Sequence, residues 1–207
     1  MSDSTPRVPT GNTYDKYGSR NPVVRHLMAS FQRDLLDLLT IAAPASVLDV
    51  GCGEGVLTER IASALRPAPV LGVDLADAGL AAHWRARHAV PNLRFTEMAA
   101  ESLRFDDGEF ELVCATEVLE HVVDPDAVLR EMTRVAGGWL LLSVPREPLW
   151  RILNLARGAY VSSLGNTPGH LQHWSAKGFD RLLQSHGDIV AVHAPGAWTM
   201  RLLKLGG

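Results

Sequence analysis

Ser46-Val47-Leu48-Asp49-Val50 runs straight into Gly51-Cys52-Gly53-Glu54-Gly55, and the stretch Val56 to Arg66 follows. The first five residues form a short apolar run with β-branched members, which reads as a buried strand. The second five hold three glycines and read as a turn in which backbone approaches a ligand closely. Val56, Leu57, Ile61 and Leu65 fall on one side of a helix that Pro67 ends. Strand, glycine turn and helix in that order open a nucleotide-binding type of α/β fold.

The same alternation extends outward in both directions. Upstream, Asn21-Pro22 opens a helical pattern in which Val23, Val24, Leu27, Met28, Phe31, Leu35, Leu38 and Leu39 recur at spacings of three and four, until Pro44 stops it. Downstream come a strand at 70–74, a helix at 78–88, strands at 93–96 and 109–115, a helix at 125–136 that Asp124 can cap, and a strand at 139–144. Residues 145–174 break the rhythm. Ser175 can cap a helix running to His186, and strands at 189–193 and 198–205 flank the turn Ala194-Pro195-Gly196. Strands alternating with helices imply a parallel sheet covered on both faces. The last connection is too short for a crossover, so one strand near the edge runs antiparallel.

The chain has 207 residues and a net charge of −3, with 46% hydrophobic and 21% charged residues. That length suits one domain, 1–207, with residues 1–20 as a flexible N-terminal lid or tail. The acidic balance argues against a general polyanion binder, so no nucleic acid partner is expected. Cys52 and Cys114 make no disulfide framework, the N-terminus carries no signal pattern and no apolar run is long enough to span a bilayer, which together suggest a cytoplasmic protein.

The ligand of the glycine turn follows from its charges. In Gly51-Cys52-Gly53-Glu54-Gly55 the third glycine comes one residue too early for the dinucleotide fingerprint. Glu54 inside the turn and Asp49 before it would repel a pyrophosphate, so the loop suits a ligand carrying positive charge. Asp74, at the end of the second strand, can accept two ribose hydroxyls. Cys52 reads as a small residue filling a tight turn in preference to a nucleophile, and Cys114 as a core residue.

Val47 to Gly55 resembles the first motif of class I S-adenosylmethionine-dependent methyltransferases, Gly72-Val73-Asp74-Leu75 their second, and Ala100 to Val113 their third and fourth. The resemblance covers roughly Val47 to Val144. It implies a Rossmann-like, doubly wound, seven-stranded and mostly parallel sheet with a reversed strand in its edge region. S-adenosyl-L-methionine is the implied cofactor. Asp49, Gly51, Cys52 and Gly53 would cradle its methionine part and Asp74 would hold its ribose, with Leu75, Ala100, Glu101 and Thr116 completing the implied cofactor-binding set. Many relatives read the adenine amino group with a carboxylate where this chain has Ala99. Backbone groups of Ala100 or the side chain of Glu101 would replace it.

After the fourth strand, Thr116-Glu117-Val118-Leu119-Glu120-His121 would place Glu117, Glu120 and His121 on one face of a helical turn. Two carboxylates and an imidazole suit a divalent metal, and Gly169-His170-Leu171-Gln172-His173 offers a fourth ligand. The set resembles that of ubiquinone-biosynthesis O-methyltransferases and small-RNA 2′-O-methyltransferases, on which His170 is the better match and His173 the second. The resemblance implies a metal (Mg, Mn, Ca or Zn) held by Glu117, Glu120, His121 and His170 at the acceptor hydroxyl. Without metal, His121 or His170 is the general base. Residues 145–174 lie where the family places a small acceptor-side insertion. Trp150, Leu153 and Arg157 are at helical spacing there, and Arg146 and Arg151 add charge. An apolar, aromatic wall with arginines suits a small-molecule acceptor with an apolar body and a polar or anionic end; the same aromatics also serve as plain packing. Tyr14 and Tyr17 would fold over the cofactor. O-methylation of a small molecule is the expected activity; metal-free N- or C-methylation and a non-catalytic nucleotide-binding partner are the alternatives.

Overall fold

The computed structural model describes residues 18–206 except His88, Arg157 and Ala159. The proposed lid residues Tyr14 and Tyr17 lie outside the described residues.

Helix α1 (Pro22–Ala42) starts where Asn21 Oδ1 accepts the Val23 N–H at 2.9 Å and ends where Ala43 turns left-handed. Strands β1 (Val47–Val50), β2 (Val70–Asp74), β3 (Leu93–Glu97), β4 (Phe110–Thr116) and β5 (Ala136–Pro145) alternate with α2 (Val56–Ala64), α3 (Ala78–Arg85) and α4 (Pro125–Val135). Then follow α5 (Leu149–Ala156), α6 (Ala176–Leu183), β6 (Asp188–His193) and β7 (Trp198–Lys204). Asp124 and Ser175 cap α4 and α6 through Ala127 N–H at 3.0 Å and Gly178 N–H at 3.2 Å. β5 begins three residues earlier than the sequence suggests, because Ala136 already pairs with Phe110.

The seven strands lie in the order β3-β2-β1-β4-β5-β7-β6. β1 to β5 are parallel, and β7 runs antiparallel to both β5 and β6. Successive strand residues face opposite sides, which splits the core in two. Val47, Val70, Leu112, Leu141 and Met200 pack with Phe31, Leu35 and Leu38 of α1 and Ile61 of α2. Leu48, Val73, Val113, Leu140 and Leu142 pack with Val128, Leu129 and Met132 of α4 and Phe179 of α6. Burial on both faces explains the continuous apolar strands.

The strand order reverses between β1 and β4, and the carboxyl ends of the strands on either side of such a reversal frame a crevice. Gly51 follows β1 there and Glu117 follows β4. Because β7 is reversed, its first residue, Trp198, comes to this same edge, paired with Pro145. None of the helices in the described residues is long and apolar enough to cross a membrane.

Candidate functional site

A cavity of about 640 Å³ opens at that edge. Its floor is the turn after β1. Gly51, Gly53 and Gly55 all have positive φ, at 70, 53 and 78°. At Gly51 a Cβ would collide with the Val118 side chain, whereas at Gly53 it would meet nothing within 4 Å. Gly53 therefore faces open cavity, a cradle that a side chain would fill. Behind the turn, Phe95 backs Gly55 and Gly72, Trp84 stacks on Phe95 at 5.4 Å, and the Trp84 indole donates to the Gly53 carbonyl at 2.8 Å.

Asp49 and Asp74 give the floor its charge. Asp49 is buried; it accepts the Thr58 hydroxyl at 2.7 Å and the Cys114 thiol at 3.4 Å. Burial pushes its pKa up to about 6, against the pull of those two hydrogen bonds. Asp74 accepts Gly53 N–H and Leu75 N–H, each at 2.7 Å, one on each oxygen. Burial raises its pKa too, opposed by those two backbone donors. Asp74 thus fastens the glycine turn as well as facing the cavity. The Cys52 thiol is pushed far up by burial and by Asp49 and Asp74, so it stays protonated and unreactive, in keeping with a turn-filling role. Leu75, Ala100, Glu101 and Thr116 also line the cavity. The groups present suit a ligand with a cationic sulfur, a ribose and an adenine: an open glycine turn, the carboxylates Asp49 and Asp74, and Leu75, Met98, Ala100 and Glu101 in the lining.

The opposite wall holds Glu120, His121 and His170, whose ligand atoms all lie within 4.8 Å of one another. His121 Nδ1 is 3.0 Å from the Gly169 carbonyl, which fixes that nitrogen as the donor and leaves Nε2 as the accepting nitrogen. Leu171 and Gln172 N–H groups donate to the Glu120 carbonyl at 2.7 and 3.1 Å, tying the His170 loop to this turn. Glu117 does not join the group. The helical spacing that would align it fails because Glu117 adopts φ 58°, ahead of a single 3-10 turn at Leu119–His121. Its carboxylate accepts the Trp198 indole N–H at 2.5 Å instead. His173 stands behind His170, with ring centroids 6.4 Å apart, and is outside the group.

Much of the remaining lining is apolar, with Val23, Val24, Leu27 and Met28 from α1, Val122, Val123, Trp150, Leu153, Tyr160 and Trp198, and Asn21, Glu54, Asn154 and Thr167 add polar groups to it. A helix forms in the insertion at 149–156, with Trp150 and Leu153 on the wall and Arg157 outside the described residues. Arg146 and Arg151 are not on this wall. Arg146 donates to the Gly196 carbonyl at 2.9 Å, and Arg151 faces Glu147 at 3.7 Å. The expected anionic end of an acceptor therefore finds neither arginine at the cavity. Sequence reading missed Trp198, Trp84 and Phe95 as site residues. For Trp198 a signal existed: the first residue of a reversed strand must lie at the ligand edge.

Comparison with known proteins supports the same reading. Residues 24–187 match the family model described as a methyltransferase domain. The ubiquinone biosynthesis O-methyltransferase of Albidiferax ferrireducens is 34% identical over 157 residues, 73% of this chain and 61% of that protein. The protein of the same name from Methylococcus capsulatus is 32% identical over 170 residues, 74% of this chain and 70% of that one. This chain thus spans about three-fifths of the length of the Albidiferax relative. Among solved structures, a SAM-dependent methyltransferase from Aquifex aeolicus superposes with TM-score 0.70 at 14% identity, over 90% of this chain and 94% of that one. Magnesium protoporphyrin IX methyltransferase from Synechocystis PCC 6803, with bound SAH, gives TM-score 0.68 at 19% identity, over 91% and 90%. These two likenesses are of fold. The family match covers most of the chain and falls on the strands and turns that build the cavity, so the chain belongs to the methyltransferase-domain family of class I S-adenosylmethionine-dependent methyltransferases.

Proposed function

We propose that the protein transfers the methyl group of S-adenosylmethionine to a hydroxyl of a small, mostly apolar molecule, with a divalent cation at Glu120, His121 and His170. The observation that carries this reading is the convergence of those three side chains on a cavity whose other end is the glycine cradle and Asp74. The names of the Albidiferax and Methylococcus relatives support oxygen as the methyl acceptor.

S-adenosylmethionine supplies a methyl group on a positively charged sulfur. Asp49, ionised above its pKa of about 6, favours that charge at the floor of the cavity. Asp74 accepts hydroxyl donors in addition to the two N–H groups it already holds. The apolar wall of Leu27, Met28, Trp150, Leu153 and Trp198 holds the body of an apolar acceptor and excludes water. Alignment of acceptor oxygen and methyl group is the main contribution asked of the protein.

The donor set fits a cation. One carboxylate and two imidazoles suit a borderline divalent ion, and the Gly169 carbonyl on His121 Nδ1 is the outer hydrogen bond that orients a ligating imidazole. When bound, such an ion (Mg²⁺, Mn²⁺, Ca²⁺ or Zn²⁺) lowers the pKa of the acceptor hydroxyl. A polyanionic acceptor is disfavoured, because Arg146 and Arg151 pair with the Gly196 carbonyl and Glu147 outside the cavity, whose lining includes Asp49, Asp74, Glu117 and Glu120.

The test is transfer of a labelled methyl group to a panel of phenols and aliphatic alcohols, with and without chelator. Transfer that stops with chelator and returns with added cation supports the full reading. Full activity in chelator after extensive dialysis removes the cation and leaves His121 or His170 as general base. No transfer to any hydroxyl, with transfer to amines or carbon acids, overturns O-methylation.

A further inference from the structure

Helix α5 is built inside out. Its apolar Ile152, Leu153 and Leu155 are 55, 40 and 40% exposed, while Asn154 among them is 3% exposed. A surface helix ordinarily buries its apolar stripe; this one is seated by the Trp150 ring against the core and by polar contacts. Asn154 Nδ2 donates to the Gly165 carbonyl at 2.8 Å and to the Thr167 hydroxyl oxygen at 3.2 Å. Trp150, one turn earlier on the same face, donates its indole N–H to the same hydroxyl oxygen at 3.0 Å. A threonine oxygen accepts two hydrogen bonds, and here both come from α5.

Thr167 is fastened on its other side to His170. Its carbonyl accepts the His170 N–H at 3.1 Å. The Trp150 ring lies nearly parallel to the His170 imidazole, with centroids 6.3 Å apart and planes 23° apart. That imidazole in turn stands edge-on to His121 at 4.9 Å. One hydroxyl therefore joins the helix and the turn that together set where His170 lies.

We propose that Thr167 is a positioning residue for His170: its hydroxyl, gripped by Trp150 and Asn154, makes α5 the element that brings His170 against Glu120 and His121. The proposal rests on the reading of that trio as the acceptor-activating group. Replacing Thr167 by valine keeps the shape and takes away the acceptor of the Trp150 indole N–H and one of the acceptors of Asn154 Nδ2. Serine keeps the oxygen.

The experiment compares wild type, Thr167→Val, Thr167→Ser, His170→Ala and the double variant Thr167→Val/His170→Ala. It reads S-adenosylhomocysteine affinity by calorimetry, the His170 ring resonance at fixed pH by nuclear magnetic resonance, and kcat and KM with the best acceptor of the panel. Thr167→Val is expected to move the His170 resonance and lower kcat at least tenfold, with cofactor-product affinity within about twofold of wild type. Serine restores both. In the His170→Ala background Thr167→Val costs nothing further, because residues acting through one another are not additive. A His170 resonance that does not move, a serine variant that fails to restore it, or losses that multiply in full in the double variant overturn the proposal. If Thr167→Val fails to bind S-adenosylhomocysteine, Asn154→Ala, which removes one of the two donors, carries the same comparison. If wild type turns over no acceptor, the functional reading fails, while the resonance still decides whether Thr167 positions His170.

Discussion

Trp198 donates its indole N–H to Glu117 Oε1 at 2.5 Å, which ties the start of the reversed strand β7 to the left-handed turn after β4. The two residues are 81 positions apart in the chain. The indole also packs edge-on to Phe31 at 5.2 Å and tilted against Trp150 at 5.5 Å, so one side chain joins α1, α5 and the turn after β4.

Trp198→Phe keeps much of that ring packing and removes the donor. A hydrogen bond to a charged acceptor contributes roughly 1.5–3 kcal/mol, so a loss of that order is expected in denaturant unfolding at pH 7. In a Glu117→Ala background the same substitution should cost clearly less. Equal losses in both backgrounds would mean that the bond contributes nothing to stability.

Asp49 makes cofactor binding and stability respond to pH in opposite directions. Its carboxyl is raised from 3.8 to about 6 by burial. The native state therefore holds a proton that the unfolded chain has already lost, and stability falls as pH rises from about 4 to about 6, then levels off. The full cost is on the order of 3 kcal/mol. Asp49→Asn should raise the melting temperature of the ligand-free protein at pH 7.5 and leave it nearly unchanged at pH 4. Affinity for S-adenosylmethionine should rise with pH up to about 6 and then level off, because the ionised carboxylate favours the cationic ligand. Calorimetry from pH 5 to 8 checks the sign, and a flat profile would refute it.

Asp74→Ala removes the acceptor of two backbone N–H groups and, in the proposed binding mode, of the ribose hydroxyls as well. Affinity for S-adenosylhomocysteine should fall by roughly 2–4 kcal/mol. Unchanged affinity, or tighter binding of NAD than of the sulfur ligand, would contradict the assignment of this cavity.

Gly72 lies opposite Phe95 in the β2–β3 register, and a Cβ there would stand 2.7 Å from the ring. Gly72→Ala should destabilise the fold by about 1–3 kcal/mol as an overpacked site. It should also weaken cofactor binding, because Phe95 backs Gly55 of the cradle as well. Phe95→Leu should recover part of both losses; a Gly72→Ala protein of wild-type stability would show that the ring moves freely.

The alternation of strands and helices was legible in the chain because each element carries its own period and its own end signals. Asn21-Pro22, Asp124-Pro125 and Ser175 are local caps, and all three cap helices in the structure. The glycine turn and Asp74 were legible for a related reason. Their geometry is made within a few residues of chain, by positive φ and by a carboxylate at a strand end.

Where the chain turns back on itself, local spacing no longer suffices. Glu117 reads as a member of the Glu120–His121 face only if the segment is helical from its start; Glu117 takes the left-handed region instead, and the helical turn covers only Leu119–His121. His170 meets His121 because the Gly169 carbonyl, 48 residues on, hydrogen-bonds the ring. Arg146 and Arg151 read from sequence as acceptor-binding charges, but in the fold their partners are the Gly196 carbonyl and Glu147. The sequence by itself determined the sheet, its covering helices and the charged glycine cradle, since those depend on periodicity and on conformations one residue type adopts most readily. Which side chains share the opposite wall was decided only by tertiary structure, because hydrogen bonds between distant segments, such as Trp198 with Glu117 and Thr167 with α5, choose among rotamers and turns that local sequence leaves equally open.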